Sequence, residues 1–290
     1  MSEVVELLRG LGGRWLELGV LAAAFCALAL VVKRGRALAD ARAAGPQTRI
    51  NLVITVIDQL AVTPLVVLAM TAVTTALTTA NLVAPTAGLW ERLGFGVTGI
   101  IALVVGDFLG YWRHRVQHSR LLWPAHAIHH SDTNLTWFSL ERMHPVDRLG
   151  TAVDPILMAL MGFPVWAISL TVLARHYWGY FIHADVPWSL GKAGLILNSP
   201  ILHRWHHARD VDGSGSNFAT LFSIFDRAFG TLHDPGPCTA PLGVREPMGR
   251  GALGQYLHPF RVWGAAIAQI RSRSQATRGA SAGGIGLPEA

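Results

Sequence analysis

The chain has 290 residues, a formal net charge of +6 and a sequence isoelectric point near 10.0, and its length is compatible with one large domain. Charged residues make up 14% and hydrophobic residues 51% of the chain, and the mean hydropathy is +0.36, whereas a soluble domain has about 25% charged residues. This composition argues against a soluble protein and predicts a membrane protein. All but two of the 24 basic residues are arginine, which fits cytoplasmic loops and anionic lipid, so we expect no nucleic-acid partner.

The first part of the chain contains two stretches long enough to cross a bilayer. Residues 15–32 are apolar with a single charge, and residues 59–90 carry no charge; about 20 residues suffice for a transmembrane helix. Pro64 and Pro85 predict a kink and an exit in the second stretch. Between the two we expect a loop that faces the cytoplasm, because it holds far more basic residues than the connection over 81–92. These basic residues are Lys33, Arg34, Arg36, Arg42 and Arg49.

Two further apolar stretches follow. One runs from about Gly94 into His114 and is interrupted by Asp107, and the other, 155–174, is uncharged but broken by Gly162-Phe163-Pro164. The break predicts two half-helices that enter and leave on the same side of the membrane. We therefore expect an all-α integral membrane helical bundle with a cytoplasmic histidine-rich cap.

Three regions are predicted along the chain. N-terminal transmembrane helices would occupy residues 1–93, a catalytic domain residues 94–235, and a partly disordered cytoplasmic tail residues 236–290. Within the tail, the basic segment 261–278 would either lie along the membrane interface or be a disordered end, and the chain from Gly279 onward is expected to be disordered.

Histidine is concentrated in one part of the sequence. Eleven of the 13 histidines lie between Asp107 and His207, and eight of these form one HxxxH and two HxxHH boxes. Residues three and four apart share a helix face, so each box can present two or three ring nitrogens to one point. Eight imidazoles exceed what one ion of four to six ligands accepts, and the boxes therefore predict two metal ions. The boxes are His114 with His118, then His126 with His129 and His130, then His203 with His206 and His207.

Two residues before the first box share its helical stripe. Asp107 lies about two turns from His114, where it could support that ligand through a bridging residue or water, or could instead form a structural ion pair with an arginine. Tyr111 could hydrogen-bond within the site or simply mark a membrane interface.

Six sequence runs carry a family resemblance, and they follow one another in order over residues 107–231. In the residues of these runs and in their order, the chain resembles the fatty acid hydroxylase superfamily. This superfamily includes sterol desaturases, sterol methyl oxidases and alkylglycerol monooxygenase. The resemblance implies an integral membrane, non-haem diiron oxygenase. The runs are DFLGYWRHRVQH, WPAHAIHHSD, RMHPVD, YFIHAD, NSPILHRWHHARD and IFDRAFGT.

The resemblance also implies individual site residues. The eight box histidines match the ligands of the family, and His183 in YFIHAD looks like a ninth. His144 in RMHPVD would either support a ligand or fix the loop, or would itself be a ligand. Members with ten histidines often carry a further one near His183, but Gly179 and Pro187 stand at those positions here. One metal would then carry a water or an amide in its place, and Asn198 is a candidate for the amide. Ordinary polar contacts are expected for His176, His233 and His258.

The activity implied by the resemblance is oxidation of a lipid. Two iron ions would use O₂ and external electrons to hydroxylate an unactivated C–H bond of a sterol, a fatty acyl chain or a related lipid. The chain has no haem-binding segment, no glycine-rich nucleotide fingerprint and only two cysteines, so a separate ferredoxin or reductase would supply the electrons. We expect a multi-pass protein of the bacterial inner membrane with its active site facing the cytoplasm.

Four alternatives stay open from the sequence. A lipid desaturase would use the same site. A membrane zinc hydrolase would need fewer nitrogens and an open position, and a bis-histidine haem protein would place its ligands within facing spans. A metal-binding membrane protein without enzymatic activity is the remaining alternative.

Overall fold

The computed structural model describes residues 2–209 and 215–282. Within these ranges the secondary structure is helical, and the only β-type pairing is an isolated bridge between Ala208 and Leu242. The all-α prediction is thereby confirmed for the described residues. The helices are α1 Ser2–Lys33, α2 Ala37–Ile57, α3 Thr63–Thr79, α4 Ala87–Gln117, α5 Trp123–His130, α6 Pro145–Thr151, α7 Val153–Leu160, α8 Val165–His183, α9 Pro200–His206, α10 Ile224–Ala228 and α11 Gly251–Ala282.

The basic segment after α1 is not the loop predicted from its charges. After a 3₁₀ turn over Arg34–Arg36 it continues as α2, which contains both Arg42 and Arg49. Its first turns read ALADARAA, and alanine, leucine and arginine are strong helix formers. Helix propensity therefore decides the local structure, whatever side of the membrane the arginines occupy.

Helices α1 and α2 run antiparallel and meet a buried network of charges at their open end. Arg14 of α1 donates to Glu141 at 2.7 Å, and Asp58, directly after α2, accepts from Arg148 at 3.0 Å. At the closed end of the pair, Lys33 contacts Asp185. Because α3 follows α2 through a short π-helix, α3 extends away from this network in the direction opposite to α1.

Close packing of α4 against α8 depends on glycines in α4. A Cβ placed on Gly106 would lie 2.2 Å from Thr171 Cγ2, and one on Gly110 would lie 1.7 Å from the Arg175 guanidinium group. Small residues allow two helix backbones to approach each other closely. The contact brings the histidine-bearing C-terminal ends of both helices together.

The predicted break between the last two apolar half-helices is confirmed. Helix α7 ends at Leu160 and α8 begins at Val165 after Pro164 in an extended conformation. Gly162 has φ +74°, and a Cβ there would lie 2.0 Å from Thr86 Oγ1. The turn packs on the α3–α4 connection, where Thr86 Oγ1 donates to Met161 O at 2.9 Å.

Helices α3, α4 and α8 expose an extensive apolar surface. By length and composition, the helical runs Gly12–Thr79 and Gly88–Gln117 could cross a membrane. Large apolar side chains of α3, α4 and α8 are exposed, among them Leu68, Phe95 and Val165. The side chains of α5, which packs between α2 and α11, are instead mostly buried.

The C-terminal tail is irregular up to residue 250 and helical from Gly251 to the end of the described residues. Helix α11 covers 261–278 and continues to Ala282, so the described part of the predicted disordered end, from Gly279, is helical backbone. Trp263 of this helix donates to Leu121 O at 2.8 Å. The rest of the predicted disordered end, residues 283–290, lies outside the described residues.

Candidate metal centre

All three histidine boxes lie at helix ends. His114 stands in the last turn of α4 and His118 directly follows that helix, while the second box closes the short helix α5. The third box is carried by α9, which is capped by Ser199 because its Oγ accepts from Leu202 N at 3.2 Å. His183 is the last residue of α8. Four helix termini therefore converge on one region.

The nine predicted ligands form two clusters, in each of which one ring nitrogen per histidine lies within 4.8 Å of the others. The first cluster contains His114, His118, His126, His130 and His206. The second cluster contains His129, His183, His203 and His207. The structure thus brings together every histidine that the sequence nominated as a direct ligand, with the exception of the optional candidate His144.

Helix periodicity explains how one box supplies both clusters. In α5, His126 and His130 are four residues apart and share a face that meets the first cluster. His129 projects about 100° away from its neighbour His130 and meets the second cluster. Helix α9 follows the same rule with the clusters exchanged, for His203 and His207 against His206.

The two clusters adjoin each other. The rings of His130 and His207 stack across the boundary with centroids 4.4 Å apart, and the His126 and His129 rings lie 5.4 Å apart. Ions held in the two clusters would therefore be close neighbours within one buried site.

The protonation pattern of the second cluster points to a cation. His129 Nδ1 lies 3.3 Å from Arg142 O, and His183 Nδ1 lies 2.6 Å from Gly179 O. A carbonyl oxygen only accepts, so each Nδ1 carries the proton and each neutral ring keeps a bare lone pair on Nε2. Those two Nε2 atoms are 3.1 Å apart with no proton to share. Two facing lone pairs at this distance are favourable only around a positive ion.

The first cluster repeats this arrangement. His114 donates from Nδ1 to Phe218 O at 2.7 Å, and His126 Nδ1 lies 2.9 Å from an Asp147 carboxylate oxygen. The Nε2 atoms of these two rings are 3.2 Å apart. His118 Nε2 and His206 Nε2, in the same cluster, are buried and have no hydrogen-bond partner.

Nitrogen separations in both clusters suit a metal. The Nε2 contacts between neighbouring histidines fall between 3.0 and 3.2 Å. With metal–imidazole bonds of about 2.1 Å, nitrogens on adjacent corners of a coordination sphere lie about 3 Å apart. The donor atoms, their tautomers and their spacing therefore all fit metal ions in both clusters.

Burial favours the neutral form of imidazoles in both clusters. Burial, followed by the proximity of other imidazoles, lowers the pKa of His129, His130, His203 and His207 well below the ordinary histidine value. Burial also lowers the pKa of His206 to about 3. Neutral rings with free lone pairs are the form that binds metals.

Comparison with known families finds a match to the part of the chain that contains the site. Residues 99–231, a little under half of the chain, are similar to the fatty acid hydroxylase family. The resemblance expected from the six sequence runs is confirmed, and all nine clustered histidines lie inside the matched segment.

The curated proteins to which the chain is similar include three lipid enzymes. An ornithine lipid hydroxylase of Rhizobium tropici is 32% identical over 164 residues, which are 56% of this chain and 50% of the relative. The alkylglycerol monooxygenase of Homo sapiens is 31% identical over 54% of this chain and 36% of its own length. Methylsterol monooxygenase 2-2 of Arabidopsis thaliana is 31% identical over 49% of this chain and 54% of its own length. The chain thus spans between about a third and about half of these relatives, and no solved structure matches it.

Sequence reasoning missed a carboxylate that touches one of the clustered histidines. Asp147 accepts from His126 Nδ1 at 2.9 Å and from Gln117 Nε2 at 2.9 Å, and it is 2% exposed. A carboxylate in this position fixes the imidazole and raises its basicity. The signal was present as the last residue of the RMHPVD run, where attention went to His144 instead.

Two predicted supporting residues act through a loop. Asp107 accepts from the backbone N–H groups of Leu221 and Phe222 at 3.0 and 2.8 Å and lies 3.3 Å from Arg175 Nε, which is the structural ion pair kept as an alternative. Tyr111 is fully buried, and its hydroxyl lies 2.9 Å from Thr231 Oγ1. Asp107 therefore fixes the loop whose Phe218 carbonyl accepts from His114.

The other two candidates have structural roles. His144 caps α6 by accepting from Val146 N at 3.2 Å, which fits the loop-fixing alternative and places it outside both clusters. Asn198 bonds Ala219 O through Nδ2 at 2.5 Å and accepts from Ser199 N at 2.8 Å, so its amide orders the start of α9 and is not part of a cluster. The remaining histidines that belong to neither cluster are His176, His233 and His258.

A cavity of about 650 Å³ connects the metal centre to apolar helices. Five clustered histidines line it, drawn from both clusters. Val66 and Met70 of α3 and Val172 and Leu173 of α8 form part of its apolar wall, and the last two are also exposed on the outer surface. The cavity can therefore hold an apolar chain against both clusters. The five histidines are His114, His126, His129, His183 and His203.

Proposed function

We propose that this chain is a membrane-bound non-haem diiron oxygenase that hydroxylates an unactivated C–H bond of a lipid, using O₂ and electrons from a separate protein. The observation that carries the proposal is the pair of adjoining imidazole clusters, with seven of the nine rings buried, beside one cavity that has an apolar wall. The names of the relatives, all lipid hydroxylases or monooxygenases, support the same reaction class.

Iron is favoured over zinc by the number of nitrogens. The first cluster offers five imidazoles, whereas zinc in proteins almost always takes four ligands, and a catalytic zinc site keeps one of them for water. Imidazole-rich sites of five or six ligands suit iron. The nine histidines would be divided between two ions, five and four.

The residues of the chain do the holding and positioning. The Nε2 lone pairs of each cluster would bind one ion, while the carbonyls of Arg142, Gly179, Phe218 and Ser216 fix the ring tautomers. When bound, a pair of irons supplies dioxygen activation and an oxidant strong enough for an unactivated C–H bond, which no side chain can provide. The cavity wall would align one carbon of the lipid with the two clusters and keep water out.

The membrane placement of the proposal follows from the exposed apolar surface. We place α3, α4 and the α7–α8 pair in the bilayer, because they carry the apolar outer surface near the cavity. The basic closed end of the α1–α2 pair contacts Asp185, two residues beyond His183, so it lies near the metal centre. By the excess of basic residues this side would be the cytoplasm, as in a bacterial inner membrane. Helix α1 would then flank the histidine-bearing cap and not run beside α3, which differs from the span expected from its composition.

Electrons would enter through a separate opening. A second cavity of about 450 Å³ reaches His118, His130 and His206, and the charged residues that line it are Arg120, Arg209 and Arg245 with one carboxylate, Glu246. A basic rim beside the histidines suits an acidic electron carrier such as a ferredoxin, or a reductase.

The test is product analysis in cells. Lipids extracted from cells that express the chain, and from cells that express His206→Ala, would be compared by mass spectrometry. Addition of one oxygen only with the unaltered chain is the expected result, and loss of two hydrogens would make the protein a desaturase instead. Identical lipids in both cultures, together with purified protein that contains zinc and no iron, would favour the hydrolase alternative and contradict the proposal.

A further inference from the structure

The cavity beside the metal centre has a charged patch in addition to its apolar wall. Glu141 and Arg148 line it together with Arg113, Asp154 and Arg175. These charges are paired: Arg113 and Arg175 both bond Asp154, at 3.0 and 2.6 Å, while Arg175 also lies 3.3 Å from Asp107 and Arg148 bonds Asp58 at 3.0 Å. The patch therefore does not call for an ionic ligand.

Two atoms of this patch have unused hydrogen-bonding capacity. Glu141 Oε2 and Arg148 Nη2 are both buried without a hydrogen-bond partner, and Glu141 is 1% exposed. They lie 3.7 Å apart, which is too long for a hydrogen bond between them. A buried acceptor and a buried donor, both charged and unsatisfied, are costly unless a ligand satisfies them.

Both groups are held in place from behind. Glu141 Oε1 accepts from Arg14 Nη2 at 2.7 Å and also from the Tyr180 hydroxyl. Arg148 Nε donates to Asp58 at 3.0 Å. Burial would raise the pKa of Glu141, but the guanidinium groups of Arg148 and Arg14 hold it below its ordinary value. The carboxylate therefore stays an acceptor at neutral pH.

A single hydroxyl group carries both the acceptor that Arg148 Nη2 lacks and the donor that Glu141 Oε2 lacks. Its oxygen accepts from Arg148 Nη2 while its proton is donated to Glu141 Oε2, whereas an ether or ester oxygen can serve only the arginine and a hydrocarbon serves neither. We propose that a hydroxyl group of the lipid binds between Glu141 and Arg148, so that the substrate class of the proposed oxygenase is a lipid alcohol. This inference rests on the proposed function only in calling the lipid a substrate. Binding of a hydroxyl group at the subsite does not require turnover.

The test is a comparison of binding by two matched lipids. The iron-loaded protein in nanodiscs would be titrated with hexadecan-1-ol and with its methyl ether, which has the same chain and keeps the acceptor but lacks the donor. Hydrogen bonds to charged partners lead us to expect the alcohol to bind about tenfold more tightly. Equal affinities would overturn the subsite and leave only water as the partner of these two atoms.

Variants locate the preference. Arg148→Lys keeps the charge facing Asp58 but removes the Nη2 donor, and it should reduce the preference for the alcohol to less than about threefold. Arg113→Lys is the matched control, because Arg113 lines the same cavity with its contacts directed to Asp154 and Gln117, and it should keep the full preference. If Arg148→Lys does not fold, Glu141→Gln provides the same comparison. Loss of the preference in the control, or its retention in both Arg148 and Glu141 variants, would contradict the assignment.

The binding result is separable from the proposed function. Titration of iron-depleted protein reports the subsite whether or not the protein oxidises any lipid. A tenfold preference for the alcohol without iron-dependent product would support the hydroxyl subsite and contradict the proposed oxygenase. Equal binding of the two lipids together with product formation would support the oxygenase and contradict the subsite.

Discussion

The two histidine clusters differ in number and in support. The first has five histidines, of which His114 and His206 are held by backbone carbonyls and His126 by the Asp147 carboxylate. The second has four, of which His129 and His183 are held by backbone carbonyls and none by a carboxylate in the hydrogen bonds of the described residues. For ions with six positions, the first cluster would leave one open and the second two. The comparison suggests that the first cluster binds its ion more strongly, and that the second offers more room for exogenous ligands.

Loss of a ring nitrogen from either cluster should have the largest effect. His130→Ala and His206→Ala in the first cluster, or His129→Ala and His207→Ala in the second, should each lower turnover at least about 1,000-fold, because both ions are needed for one oxidation. Turnover would be measured as the amount of oxidised lipid formed. The iron content of each variant would be measured by elemental analysis. The control His258→Ala, outside both clusters, should retain activity and iron. Near-normal activity in all four cluster variants would contradict the assignment of the metal centre.

The carboxylate behind the first cluster should have a smaller, local effect. Asp147→Asn keeps the shape of the side chain but removes its charge, and it should weaken iron binding about 10- to 100-fold at the first cluster alone. Competition with a chelator would resolve one weakened and one unchanged site. The control Asp40→Asn removes a carboxylate whose partner is Lys33 and should leave both sites unchanged. Equal weakening of both sites would mean that the clusters do not differ in the way proposed.

Helix packing that aligns the clusters should be sensitive to one methyl group. Gly106→Ala should lower stability by about 1–3 kcal/mol, because the new Cβ meets Thr171 Cγ2 and the Met158 sulfur. Thermal unfolding of the purified protein would report this loss. Gly96→Ala in the same helix has nothing within 4 Å and should be nearly neutral. The double variant Gly106→Ala with Thr171→Ser, which lacks Cγ2, should recover part of the loss, and a failure to do so would question the α4–α8 contact.

The smallest effect is expected at the basic rim. Arg120→Gln should slow turnover a few-fold with an acidic protein donor and weaken its dependence on salt, because rim charges mainly affect association. With a small chemical reductant the variant and the parent should be equal. Equal slowing with both reductants would place the defect in the site and not in docking.

Part of this arrangement was predictable from sequence because helix periodicity is local. The spacing of His126 and His130, or of His203 and His207, determines a shared face wherever the helix lies. The Gly162-Phe163-Pro164 break was predictable because the effects of glycine and proline on the backbone are also local. The family resemblance added His183, whose isolated position in the sequence carries no spacing signal.

Other features depend on tertiary structure. The division of the boxes into five and four follows from how α5 and α9 face each other, and the carbonyls of Phe218 and Ser216 reach their histidines from a distant loop. Asp147 was hidden behind the more conspicuous His144. The helical state of α2 was missed because its arginines were weighed for charge and not for helix propensity.

The most direct test of two adjoining iron sites is the iron content of active protein. Elemental analysis of a preparation that forms oxidised lipid should find about two iron atoms per chain, with His206→Ala and His207→Ala each reducing this number. A preparation that forms product at full rate with zinc alone, or with far less than one iron per chain, would contradict the diiron assignment.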